Sequence, residues 1–228
     1  MTEHEDDTPS TSRVTRRRRW AGAIAAVLVA AGVTAFWWKP WQSVVLPQSA
    51  CWSVLGPDDL RPLVGTNGTA VDHSGAEIVT PMTAGLGSGQ SYCAVRWAGD
   101  SVLEATVQPS RNGLAMSGVQ SRGGHALDFG PDAQGWIDDQ HDILEFYLRC
   151  DFQVPAEWAD GPATPYVWIT IDGAPEDSQY SLTRVRQAYA DIALKIARTV
   201  VTQYQCTNPV HLADKAPTVP AAAKETTP

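Results

Sequence analysis

The chain has 228 residues, with 25 Asp or Glu against 17 Lys or Arg and a net charge of −8. Four of those acids and six of those bases lie in residues 1–41, which leaves 21 acids and 11 bases beyond them, a net of −10. So acidic a field repels phosphate and excludes nucleic acid as a partner of that larger part.

Arg13 and Arg16 to Arg19 close a short N-terminal segment, residues 1–19. From Trp20 to Trp38 the chain then reads WAGAIAAVLVAAGVTAFWW without a charge. At about 1.5 Å per residue this run is roughly 28 Å long, the depth of a bilayer's hydrocarbon core. In hydrocarbon a single segment satisfies its backbone polar groups only as a helix, so the run predicts a transmembrane helix over residues 20–38. Trp20, Trp37 and Trp38 end it, with Trp41 just beyond, where indoles favour the headgroup layer. The arginines keep residues 1–19 in the cytoplasm and send the C-terminal part outside, which places the chain in a cell membrane as a single-pass protein. A cleaved signal peptide would be shorter and end in small residues, whereas this run ends in Phe36-Trp37-Trp38-Lys39-Pro40.

Residues 39–50, with Pro40 and Pro47, read as a stalk, and residues 51–208 as one extracytoplasmic domain. All four cysteines, Cys51, Cys93, Cys150 and Cys206, fall in that domain. An even count in an exported domain reads as two disulfides. Of the three possible pairings, Cys51–Cys93 with Cys150–Cys206 is favoured, because each pair then lies near one packing unit. Zinc is disfavoured, since no two cysteines share ligand spacing and His73, His125, His141 and His211 are scattered.

Gly56-Pro57-Asp58-Asp59-Leu60 opens a short helix that Gly65 ends, with proline in the first turn and acids at the positive end. Asn67-Gly68-Thr69 is both a turn signal and a glycosylation sequon. Ser91 to Ala98 alternates with Cys93, Val95 and Trp97 on one face, and Leu103, Ala105 and Val107 continue it as a hairpin. Residues 110–141 read as loops with a short strand near Leu127. Leu144, Phe146, Leu148, Cys150 and Phe152 share one face of a strand, as do Val167, Ile169 and Ile171 of another. From Ser181, a stripe of Leu182, Val185, Tyr189, Ile192, Ile196, Val200 and Tyr204 predicts a long amphipathic helix, with Arg184, Arg186, Gln187, Asp191, Lys195 and Arg198 on its remaining surface. Asn208-Pro209 is expected to stop it, and residues 209–228, ending APTVPAAAKETTP, to be disordered. The expected fold is α+β: an antiparallel sheet with the C-terminal helix packed on it, preceded by the transmembrane helix.

Chemistry-bearing patterns are sparse. Gly85-Leu86-Gly87-Ser88-Gly89 lacks the flanking glycines of a nucleophile elbow and reads as a loop. Asp138, Asp139 and Asp142 beside Glu145 lack the alternate spacing and glycine of a calcium loop and read as a solvated acidic loop. His125 with Asp128, or His141 with Asp142, is a conceivable orienting pair for a base, but no nucleophile accompanies either. Trp52, Trp136, Trp158 and Trp168 are candidates for a sugar-stacking platform, with Trp168 facing away from the inward Val167, Ile169 and Ile171. No pattern implies a cofactor.

SACWSVLGPDDLRPLVG, SYCAVRWAG, GWIDDQHDILEFYLRC and ALKIARTVVTQYQCTNP together resemble a group of uncharacterised actinobacterial membrane-anchored cell-envelope proteins. The first half is also similar to small actinobacterial envelope lipoproteins whose relatives have a Mog1/PsbP-type sandwich, although this chain lacks their lipid-attachment site. The resemblance covers residues 50–208 and implies no catalytic residue. The expectation is a membrane-tethered, non-catalytic module that binds an envelope protein or ligand. The alternative is a small hydrolase using Asp138, Asp139 or His141.

Overall fold

The computed structural model describes residues 43–80, 89–110, 123–152, 166–175 and 177–221. The expected transmembrane span, residues 20–38, lies outside the described residues. Among those described, no helix is long and apolar enough to cross a membrane.

The fold is α+β. Strands β1 (Val44–Val45), β2 (Gly68–Ser74), β3 (Ser91–Trp97), β4 (Asp100–Ser110), β5 (His125–Asp128), β6 (Ala133–Ile137), β7 (Leu144–Arg149) and β8 (Tyr166–Asp172) form one sheet in the order β1-β2-β3-β4-β8-β7-β6-β5. Two helices are described, α1 (Pro57–Leu60), which runs into a 3₁₀ turn over Arg61–Leu63, and the long α2 (Leu182–Gln203). The sheet is mixed rather than antiparallel, because β1 lies parallel to β2. The presumed stalk therefore contributes to the fold: Val44–Val45 is its first strand, and Ala50 is buried and bridged to Leu55.

Alternation decides which sheet face is covered. Val107 of β4, Ile169 of β8 and Phe146 of β7 stand side by side in register, and all are buried. Gly135 follows them on β6, where a Cβ would collide with the ring of Phe129, which packs edge-on against Phe146 at 4.6 Å. Helix α2 lies on this face. Ser181 caps it by accepting a hydrogen bond from the Arg184 amide, and Val185, Tyr189, Ile192, Ile196 and Val200 are buried beneath it. The helix ends at Gln203, earlier than Asn208-Pro209 required. Gln205 takes a left-handed φ of 52° and the Cys206 amide bonds back to the Val201 carbonyl, a Schellman closure.

Both disulfides join the residues favoured from sequence. Cys51–Cys93 ties the segment before α1 to β3, with Cα atoms 5.2 Å apart, and Cys150–Cys206 ties the end of β7 to the exit of α2, at 5.0 Å. Beside the second bridge, the Asp151 carbonyl accepts from the Thr207 amide and hydroxyl, and the Asn208 side chain accepts from the Asp151 amide.

Asn67 lies in a bend, as its turn signal predicts, and Gly68 opens β2 at φ +148°, where a Cβ would lie 2.9 Å from the Trp97 indole. Glycine is needed there for close approach and for backbone conformation together. Residues 209–221 are not a loose tail. They fold back along α2, where Arg198 donates to the carbonyls of Ala213 and Asp214, and Gln187 both donates to the Pro217 carbonyl and accepts from the Val219 amide. Val219 is buried in the core cluster. Composition suggested disorder because proline and alanine bury little, but these backbone groups are bonded by side chains of the helix instead.

Candidate functional site

The turn between β6 and β7 brings the predicted acidic residues together around Arg186. This arginine, assigned from sequence to the helix surface, is fully buried on α2. Its Nη2 donates to Asp139 Oδ1 at 2.9 Å and reaches the Asp138 carbonyl at 3.4 Å, while Nε lies 3.7 Å from Asp142 Oδ1. His125 Nε2 meets the other Asp139 oxygen at 3.4 Å, so His125 pairs with Asp139 rather than with Asp128. Asp128 instead accepts from the Gly130 amide. His141 pairs with Asp138, at 3.2 Å, and not with Asp142.

Asp138 also accepts from the amides of Gln140 and His141, at 2.5 and 2.6 Å. Burial pushes its pKa up, but the bonds from the His141 backbone and ring and the Gln140 backbone outweigh this, and the net shift is downward. Each of the three histidines paired among the described residues faces a carboxylate, none a hydroxyl or thiol. The cluster therefore fixes a turn to a helix. Neither described cavity is lined by it.

The Cys51–Cys93 region holds a second cluster with Asp72, but both thiols are consumed in the disulfide and cannot ligate a metal. Asp72 instead accepts from the Cys51 amide at 3.2 Å and from the Ser74 hydroxyl at 2.7 Å.

The tryptophans do not form one platform. Trp52 is buried in the core cluster, and Trp158 lies outside the described residues. Trp136 and Trp168 point to the sheet face opposite α2, but Trp136 is buried and only Trp168 is half-exposed there. Trp168 stacks on its cross-strand partner Tyr147, with ring centroids 5.8 Å apart and planes 10° from parallel. One step along the same strands, Arg149 faces Tyr166. Tyr92 stands on this face too, beside Thr106, and is half-exposed. Sequence reading missed the tyrosines because in alternating strands they are the outward residues, which periodicity assigns simply to solvent. Asn67 is exposed immediately before β2, so its sequon is accessible.

Two of the cavities among the described residues bear on function. The larger, about 420 Å³, lies at the β3–β4 hairpin, with Trp97 in its wall and carboxylates of Asp100, Glu104, Asp172 and Asp177 around it. No three of these carboxylates approach one another closely enough to share a metal ion. The smaller, about 150 Å³, lies on the aromatic face and is lined by Pro131, Asp132, Ala133, Gln134, Tyr147, Arg149 and Tyr166. Comparison of the chain with protein-family models, with curated proteins and with solved structures returned no match.

Proposed function

We propose that this chain is a single-pass membrane protein of the cell envelope that displays a non-catalytic binding domain outside the membrane. The observation that carries this reading is the pair of disulfides closed within one fold, a covalent frame that persists in oxidising compartments. The uncharged run from Trp20 to Trp38 behind Arg16 to Arg19 supplies the anchor and its orientation. The likeness of residues 50–208 to actinobacterial envelope proteins agrees with that placement.

Binding is favoured over catalysis by how the carboxylates are used. Both oxygens of Asp139 are engaged, by Arg186 and His125, and both of Asp138 are engaged within its own turn. A hydrolase would need one of them directed at substrate, with an activated nucleophile or water in a cleft. The sheet face opposite α2, by contrast, presents aromatic and polar side chains together.

The test is a pair of reporter fusions after Pro228. A reporter active only outside the cytoplasm should work, and one active only inside should be silent. The reverse pattern would overturn the reading. Neutral residues in place of Arg16 to Arg19 should mix the two orientations.

A further inference from the structure

We infer that the small cavity on the aromatic face is a subsite for an acidic sugar, a pyranose ring carrying a carboxylate. This rests on the binding-domain reading above and names the ligand class.

The cavity's size sets the first limit. About 150 Å³ is roughly five water volumes, below the range of drug-sized pockets, and suits a single ring. Its chemistry sets the second. The phenol ring of Tyr166 offers an apolar face with a polar tip, while Tyr147, stacked on Trp168 and donating its hydroxyl to Glu145 at 3.3 Å, lines the cavity with its ring. Pyranose C–H faces pack on such rings. Gln134 adds an amide that both donates and accepts.

Arg149 and Asp132 complete the set, and together they decide the class. The Arg149 side chain is exposed and makes no ion pair among the described residues. Its planar fork matches a carboxylate. Asp132 is held from the other side by the folded-back C-terminal segment: its Oδ2 accepts from the His211 amide at 2.8 Å and contacts His211 Nδ1 at 3.0 Å. Its Oδ1 takes no hydrogen bond among the described residues. A uronic-type sugar satisfies both groups, its carboxylate meeting Arg149 and its ring hydroxyls donating to Asp132. An acidic peptide side chain has a carboxylate for Arg149 but no ring hydroxyls for Asp132 and no pyranose face for the tyrosines. A neutral sugar leaves Arg149 unused.

The test is titration of the full-length chain, in detergent or nanodiscs, with trigalacturonic acid, maltotriose and tri-glutamate. Trigalacturonic acid is expected to bind at least tenfold more tightly than either control. Arg149→Gln is expected to weaken it at least tenfold, and Tyr147→Ala similarly, with circular dichroism showing that both variants keep the native fold. Arg149→Lys should retain part of the affinity.

Equal binding of tri-glutamate, unchanged binding by Arg149→Gln, or no binding of trigalacturonic acid would each overturn the assignment. The reporter fusions are independent of this result, so a failed subsite and a failed topology are told apart.

Discussion

The buried guanidinium of Arg186 meets the carboxylate of Asp139 at 2.9 Å, so the N-terminal part of α2 is tied to the turn between β6 and β7. The pair is unequal: the Arg186 side chain is wholly enclosed, whereas that of Asp139 keeps a quarter of its surface in water. Asp139→Asn leaves the buried guanidinium with Asp142, at 3.7 Å, as its remaining carboxylate, and is expected to cost part of the about 3–5 kcal/mol that loss of a buried charge's partner carries in urea unfolding. Arg186→Met removes that charge, keeps an apolar filler, and leaves Asp139 with access to solvent, so its cost should be clearly smaller. Equal losses would mean that the guanidinium is not desolvated.

Helix α2 tests the core in a second way. Ile192 and Ile196 are fully buried, and each change to alanine should cost about 2–5 kcal/mol through lost burial and the cavity left behind. Lys195, expected from sequence to be a bare surface residue, pairs with Asp59 of α1, although its side chain is 45% exposed. Lys195→Ala should therefore cost no more than about 1 kcal/mol. Comparable losses at Ile196 and Lys195 would show that the helix does not dock on the sheet.

The folded-back C-terminal segment should be stabilising. Truncation after Asn208 removes the buried Val219 and the partners of Arg198 and Gln187. Burial of a valine alone is worth about 1.5–3 kcal/mol, so the truncated chain should lose at least about 2 kcal/mol in urea unfolding. Lys215→Ala, at an exposed position of the same segment, should lie within about 0.5 kcal/mol of the parent. If truncation has no effect, the segment does not pack in solution.

Cys51, Trp52 and Ser53 take left-handed φ values of 47°, 61° and 63° in succession. That conformation costs side-chain-bearing residues about 1–2 kcal/mol each, and here the disulfide and the bonds to Asp72 and Ser74 hold it. Ser53 is exposed, so Ser53→Gly relieves strain without loss of packing. After glycine's own entropic cost, a gain of up to about 1 kcal/mol is expected. A melting temperature below the parent's would show that the turn is unstrained.

Acid should weaken the contact between the β5–β6 turn and the C-terminal segment. The His211 backbone amide, and then its ring and the Arg149 charge, hold the Asp132 carboxyl below its ordinary value of 3.8 against a smaller effect of burial. A lowered native pKa gives stability that is complete above the unfolded value and is lost as pH falls through the native one. The parent should thus exceed Asp132→Asn in stability at pH 6, and the gap should close below about pH 4 as both approach the neutral form. A gap independent of pH would remove the charge from the explanation.

Periodicity and punctuation sufficed for the elements whose residues act locally. Alternation marked β3, β4, β7 and β8, the 3.6-residue stripe marked α2, and cysteine placement favoured the pairing that the fold contains. Each of these signals is written in neighbouring residues, because a strand or helix half-buried on one side repeats its apolar positions. What the sequence could not specify were the relations between distant outward-facing residues.

Arg186 reads as surface by its polarity, yet the acidic turn 47 residues away encloses it. Residues 209–221 read as disordered, yet the polar side chains of α2 satisfy their backbone. Tyr147, Arg149 and Tyr166 read as ordinary solvent-facing positions until the β7–β8 register sets them around one cavity. Local patterning determined which apolar faces of β3, β4, β7, β8 and α2 lie inside. Only the tertiary register decided which of the outer residues stand together, because hydrogen-bonded strand pairing fixes neighbours across the sheet that no spacing along the chain encodes.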